Sequence, residues 1–184
     1  MSSSAEVVAS VVRLVRSRPP SAGSTGVVAV DGPSGAGKTT FAGRLCVALA
    51  GAPVVHMDDI YPGWGGLGEA VPHLVGWVLS PLSAGQRARY RRYDWDADRY
   101  AEWHEVPAAD VLVVEGVASG SLACAPFLGV LVWVDAPRDV RFARGIARDG
   151  EAYRPHWERW AAQEDRHFAD DGTAQRADVR LVTG

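Results

Sequence analysis

The run Gly32-Pro33-Ser34-Gly35-Ala36-Gly37-Lys38-Thr39 constrains this chain more than any other feature. It fits the pattern G-x-x-x-x-G-K-[ST], in which glycines allow successive backbone N–H groups to turn toward phosphate oxygens. The pattern carries weight only between a strand and a helix. Here Val27 to Asp31 is apolar without alternation, as expected of a strand buried on both faces, and a helix is expected from about Lys38 to Ala50. In that setting the helix N-terminus favours an anion, the Lys38 ammonium can reach the β- and γ-phosphates, and the Thr39 hydroxyl can ligate Mg²⁺. The expected nucleotide contacts are therefore Gly32, Pro33, Ser34, Gly35, Ala36, Gly37, Lys38, Thr39 and Thr40, with ATP and Mg²⁺ as cofactors. Lys38 is the single lysine among 19 Lys and Arg residues, and it stands inside this motif.

The rest of the chain reads as alternating strands and helices. Further apolar strands are expected at Pro53–Met57, Val111–Val114, Val130–Val134 and Ala177–Val182. Helices are expected at 5–17, 69–79, 138–148 and 157–169, with Pro72 and Gly76 counting against the second of these. Residues 86–105, charged and aromatic, read as irregular or half helical. Such alternation implies a parallel sheet with helices on both faces. The expected fold is α/β, a three-layer P-loop NTPase with a mostly parallel five-stranded sheet. A length of 184 residues fits one domain over 1–184, whose residues 1–25 form an N-terminal helix and linker.

Composition narrows the function. A net charge of −3 argues against a general nucleic-acid binder, and no apolar run approaches the length of a membrane span. Cys46 and Cys124 make a poor disulfide framework, and the first 18 residues lack the pattern of a signal peptide, so a cytoplasmic location is expected. The chain has no asparagine, which removes the N-K-x-D guanine signature. Leu82-Ser83-Ala84-Gly85-Gln86 resembles the signature of transporter ATPases, but it lies too close to the phosphate loop, and the strand after it ends in Glu115-Gly116. The five histidines show no metal-ligand spacing with cysteine.

Carboxylates cluster where such a sheet would bind its ligand. Glu115 ends one strand, at a position where an acid can hold the Mg²⁺ shell. Asp58 and Asp59 follow the second strand, and a carboxylate there can take the proton of an attacking hydroxyl; either could instead cap a helix. Trp64 and Trp95 fall in expected loops and are candidates to touch a substrate. Trp157 and Trp160, with Phe168 further on, fall near helical spacing and read as core.

The phosphate loop, D-x-x-Y at Asp58–Tyr61, Tyr93-Asp94-Trp95, the strand ending Glu115-Gly116 and VDAPRDVRFARGIARD at 134–149 occur in that order. Together they resemble the uridine kinase family of P-loop kinases over about residues 26–150. The resemblance implies ATP-dependent phosphoryl transfer to an acceptor hydroxyl, most readily that of a nucleoside. It makes Asp58 the base, with Lys38 and Arg148 as the other catalytic groups. It places Asp58, Tyr61, Tyr93, Asp94, Trp95, Glu115 and Arg154 around the acceptor, and Arg144 on the nucleotide. It implies a small arginine-bearing lid at about 145–157.

Two departures stand out. Gly145 replaces one lid arginine, and Asp96-Ala97-Asp98 stand where the family reads a base with histidine. A nucleoside monophosphate, another hydroxylated metabolite or an antibiotic therefore remains open as acceptor. So does a regulatory protein that holds ATP without rapid transfer, and so does homo-oligomerisation.

Overall fold

The computed structural model describes residues 3–151 and 154–184. Helix α1 (Ser4–Ser17) starts at a capping box: the Ser3 hydroxyl accepts the Glu6 N–H at 3.3 Å, and the Glu6 carboxylate accepts the Ser3 N–H at 2.7 Å. Its valines Val7, Val8 and Val11 are buried. Strand β1 (Gly26–Asp31) leads through the glycine loop into α2 (Lys38–Ala48). Strand β2 (Val54–His56) ends in a single 3₁₀ turn, Met57–Asp59.

Helix α3 (Leu67–Leu74), a π turn (Val75–Leu79) and the short α4 (Ser80–Ser83) then follow without a break. The 69–79 segment is thus helical as expected, and Pro72 does not stop it. The proline, which has no N–H to donate, stands inside α3 one residue before His73, and the i→i+5 turn begins soon after it.

Strands β3 (Arg89–Asp94) and β4 (Arg99–Glu105) form an antiparallel hairpin, which corrects the irregular reading of 86–105. The register shifts between Arg91 and Tyr93, so Tyr90 and Tyr93, three apart in sequence, are both buried. A bulge of this kind breaks the period-2 signal by which a strand is recognised.

Strands β5 (Val111–Glu115) and β6 (Val130–Asp135), helices α5 (Arg138–Asp149), α6 (Arg154–Asp171) and α7 (Thr173–Arg176), and strand β7 (Val179–Val182) complete the described chain. The main sheet has the order β2-β5-β1-β6-β7, with every pairing parallel. One core packs α1 and α2 against one face, around Val11, Phe41 and Leu45. The other packs α3, the hairpin and Trp160 of α6 against the opposite face. This is the three-layer α/β arrangement expected. None of the described helices is long and apolar enough to cross a membrane.

Register positions the site. Val30 pairs with Glu115, and Glu115 with His56. The carboxyl ends of β1, β5 and β2 therefore meet at one edge, where ligands of open parallel sheets bind.

Candidate active site

The phosphate loop is clamped from three sides. Asp31, the last residue of β1, is fully buried. Its Oδ1 accepts N–H groups from Gly32 at 2.6 Å and Ala118 at 3.0 Å, and its Oδ2 accepts that of Gly120 at 2.8 Å. Burial pushes Asp31 up to about 7, against the pull of these N–H groups and of Lys38. Gly32 has φ +140°, and a Cβ there would lie 1.9 Å from the Val134 carbonyl oxygen of β6. Gly35 has φ +77°, and a Cβ there would lie 2.3 Å from the Arg141 carbonyl oxygen of α5. The backbone thus follows a course that only glycine allows at these two points. The third clamp is Glu164 of α6, whose Oε1 accepts the Ser34 N–H at 2.8 Å.

Within the loop, Lys38 is buried and donates from Nζ to the Pro33 carbonyl at 3.0 Å. The Thr39 hydroxyl donates to Glu115 Oε1 at 3.0 Å. A caged ammonium at a helix N-terminus beside a hydroxyl–carboxylate pair is a donor set that fits a polyphosphate and Mg²⁺. Lys38 and the loop amides would hold the phosphates, and Thr39 and Glu115 the metal.

The loop opens on a cleft of about 1000 Å³. Ser34, Gly35, Gly37, Lys38, Thr39 and Thr40 line it, together with Arg144 and Arg148. Arg144 is held by Thr183 Oγ1 at 2.7 Å, and that hydroxyl donates to the Ala36 carbonyl at 2.9 Å. Arg148 is forked on Asp149 at 2.8 and 2.7 Å. Asp58 and Asp59 line the cleft too, as does a wall of Trp64, Trp95 and Trp160. Trp64 and Trp95 lie 5.0 Å apart by ring centroid, and the Trp95 indole N–H donates to the Asp58 carbonyl at 2.9 Å.

The two aspartates differ. Asp59 accepts the Tyr90 hydroxyl at 3.3 Å. Asp58 keeps its carboxylate open to the cleft, and among the described residues no side chain donates to it. The protein around the cleft floor strips water from it, and the Glu115 charge adds to this, so its pKa rises; Lys38, Arg148 and His56 pull the other way.

Other expected residues support the cleft without lining it. Gly32, Pro33 and Ala36 frame the loop. Tyr61 is buried, donating to the Val117 carbonyl at 2.8 Å, with its ring edge-on to Trp160. Tyr93 donates to Asp98 at 2.5 Å, and Asp94 accepts the Ala97 N–H at 2.9 Å while pairing with Arg92. These two shape the turn that carries Trp95.

Arg154 is not brought to the cleft: it pairs with Glu151 at 2.7 Å and lies over Phe142. The lid region expected at 145–157 falls on the end of α5 and the start of α6, and its residues 152 and 153 lie outside the described residues. Gly145 lines the cleft.

Sequence reasoning missed Asp31, His56, Trp160 and Glu164 as site residues. For Glu164 a signal existed. Trp157, Trp160, Ala161 and Glu164 form a buried helical stripe, and a carboxylate on such a stripe needs a partner.

His56 Nδ1 lies 2.6 Å from Glu115 Oε1. The pairing raises the His56 pKa above its ordinary value of 6.5. Burial pushes Glu115 up, but His56, Lys38 and Thr39 outweigh it and hold Glu115 below 4.5. The glutamate part of this stability is lost as pH falls through the lowered Glu115 pKa. The histidine part is complete below pH 6.5 and lost as pH rises through the raised His56 pKa. His56→Gln is therefore expected to lower the melting temperature more at about pH 5.5 than at about pH 8.5. The half-exposed histidine limits the difference to under about 1 kcal/mol. Equal losses at both pH values would refute the charged pairing.

Comparison with known proteins bears on the fold. The model of the phosphoribulokinase/uridine kinase family matches residues 73–157. A possible uridine kinase from Bacillus stearothermophilus superposes with a TM-score of 0.70 at 22% identity, covering 96% of this chain and 97% of that one. A proposed fructose transport system kinase from Silicibacter sp. TM1040 gives 0.61 at 18% identity, covering 98% and 100%. The search of curated proteins finds no match. The fold is that of these kinase neighbours, and the family match takes in Tyr93-Asp94-Trp95 and Glu115-Gly116 but begins after the phosphate loop and Asp58.

Proposed function

We propose that this chain is an ATP-dependent kinase that transfers the γ-phosphoryl group to a hydroxyl of a small molecule, with a nucleoside as the first acceptor to test. The observation that carries the reading is that cationic groups and an open carboxylate line one cleft. Lys38, Arg144 and Arg148 line it together with the Asp58 carboxylate. Asp58 would take the proton of the acceptor hydroxyl as its oxygen attacks phosphorus, and the bond to ADP breaks. Its raised pKa brings it closer to a working pH than an ordinary aspartate. Lys38 and Arg148 would offset the charge on the transferred group. Mg²⁺, when bound, neutralises phosphate charge; Thr39 and Glu115 are the residues that would hold it.

The tryptophan wall suits an acceptor with a flat or apolar face. Asp96, also on the cleft, suits one that offers a hydrogen-bond donor there. Both features fit an amino-bearing nucleobase. A hydroxylated metabolite or antibiotic of similar shape is the second reading, because the same wall would accept it.

ADP release from ATP·Mg²⁺ across a panel of nucleosides, nucleoside monophosphates and other hydroxyl compounds tests the proposal, with Lys38→Ala as control. Stimulation by one class, absent in Lys38→Ala, is the expected result. Tight ATP binding with a flat panel would favour a regulatory protein instead.

A further inference from the structure

Glu164 is the one carboxylate that reaches into the phosphate loop from α6, and nothing in the phosphoryl-transfer scheme uses it. Its side chain is 1% exposed. Oε1 accepts the Ser34 N–H at 2.8 Å, and Oε2 lies 3.8 Å from the Arg141 guanidinium of α5. Trp160 stands one turn earlier on the same buried face of α6. Trp160 also walls the acceptor half of the cleft.

A carboxylate buried this deeply is costly unless its partners compensate. Burial raises the Glu164 pKa, while Lys38, the Ser34 N–H, Arg141 and Trp160 oppose the rise. Ser34 belongs to the loop whose amides must present a fixed curve to an anion. Holding its N–H from outside fixes where the loop bends before Gly35, at the point where the loop touches the backbone of α5.

We propose that Glu164 is a positioning residue of the phosphate site, which sets the curve of the loop through Ser34. The role rests on the phosphate-site reading of the loop, and not on the acceptor or the reaction. What Glu164 must supply is an acceptor atom at the right reach. A glutamine has both; an aspartate is one methylene too short; an alanine has neither.

Titration of ATP·Mg²⁺ by calorimetry without any acceptor tests this on the full chain. Glu164→Ala and Glu164→Asp are each expected to weaken binding about tenfold, the size of effect that follows when a buried N–H loses its acceptor. Glu164→Gln is expected to stay within about twofold of the wild type. Thermal melts identify variants that fail to fold; if the alanine variant does, the aspartate variant, which keeps the charge, decides. Wild-type affinity in the aspartate variant overturns the proposal, and so does a glutamine variant as weak as aspartate. A wild-type protein that does not bind ATP·Mg²⁺ at all would instead sink the nucleotide reading itself.

Discussion

Asp58→Asn is expected to bind ATP·Mg²⁺ as the wild type does and to turn over about 10²–10⁴-fold more slowly, the range that a lost general base removes. The substitution is nearly isosteric, and the Asp58 carboxylate accepts no hydrogen bond from another described side chain, so little else changes with it. Only the ability to take a proton is lost. The main-chain carbonyl that holds Trp95 survives the change, so the tryptophan wall should stay in place.

The pH profile supplies a second check. Asp58 must be ionised to act, so activity should rise with pH through its pKa, and that pKa lies above the ordinary 3.8 because the cleft desolvates it. The asparagine variant should lose this acid limb. Asp59→Asn is the natural comparison, because Tyr90 already occupies that carboxylate and its loss should cost turnover far less. Turnover retained in Asp58→Asn and lost in Asp59→Asn would reverse the two roles.

Much of this site could be read from the chain because its parts are local. A phosphate loop declares itself through adjacent glycines and a lysine, and buried parallel strands declare themselves as short apolar runs bounded by acids. Val27–Asp31, Val111–Glu115 and Val130–Asp135 behave in this way. The hairpin was hidden for a physical reason. Its bulge puts Tyr90 and Tyr93 on the same side, which mimics helical spacing, and its outer face is rich in arginine.

Glu164 and Asp31 were hidden for a different reason: their roles depend on distant partners. Glu164 meets Ser34 across 130 residues, and Asp31 meets Gly120 across 89. No window of local pattern contains both members of such a pair. Arg154 shows the reverse error. Its spacing suits a lid arginine, but Glu151, three residues earlier, gives it a nearer partner. The order of motifs limits the fold strongly and fixes individual arginines weakly.

Asp31→Asn carries the largest expected cost in stability. The wild-type carboxylate offers acceptors to three N–H groups, and these tie the end of β1 to the start of the phosphate loop and to the segment after β5. An asparagine can place its oxygen toward Gly32 and Ala118, as Oδ1 does now. Its NH₂ group then points at the Gly120 N–H, donor against donor. No rotation relieves this, because turning the amide over trades one orphaned N–H for two. One buried donor without an acceptor costs about 1–3 kcal/mol. For a chain of this size each kcal/mol lowers the melting temperature by about 2–4 °C, so a fall of about 2–12 °C is expected.

The cost should also depend on pH. Burial raises the folded-state pKa of Asp31 to about 7, so the wild type loses stability as pH climbs from 3.8 toward 7, where the unfolded chain is ionised and the folded one still holds its proton. Asparagine does not titrate. The gap between wild type and variant should therefore be widest at the acid end of that window and narrow toward neutral pH. Melting temperatures of both proteins across the window measure this directly. A gap that widens with pH would mean that the three N–H groups, and not burial, dominate the ionisation of Asp31.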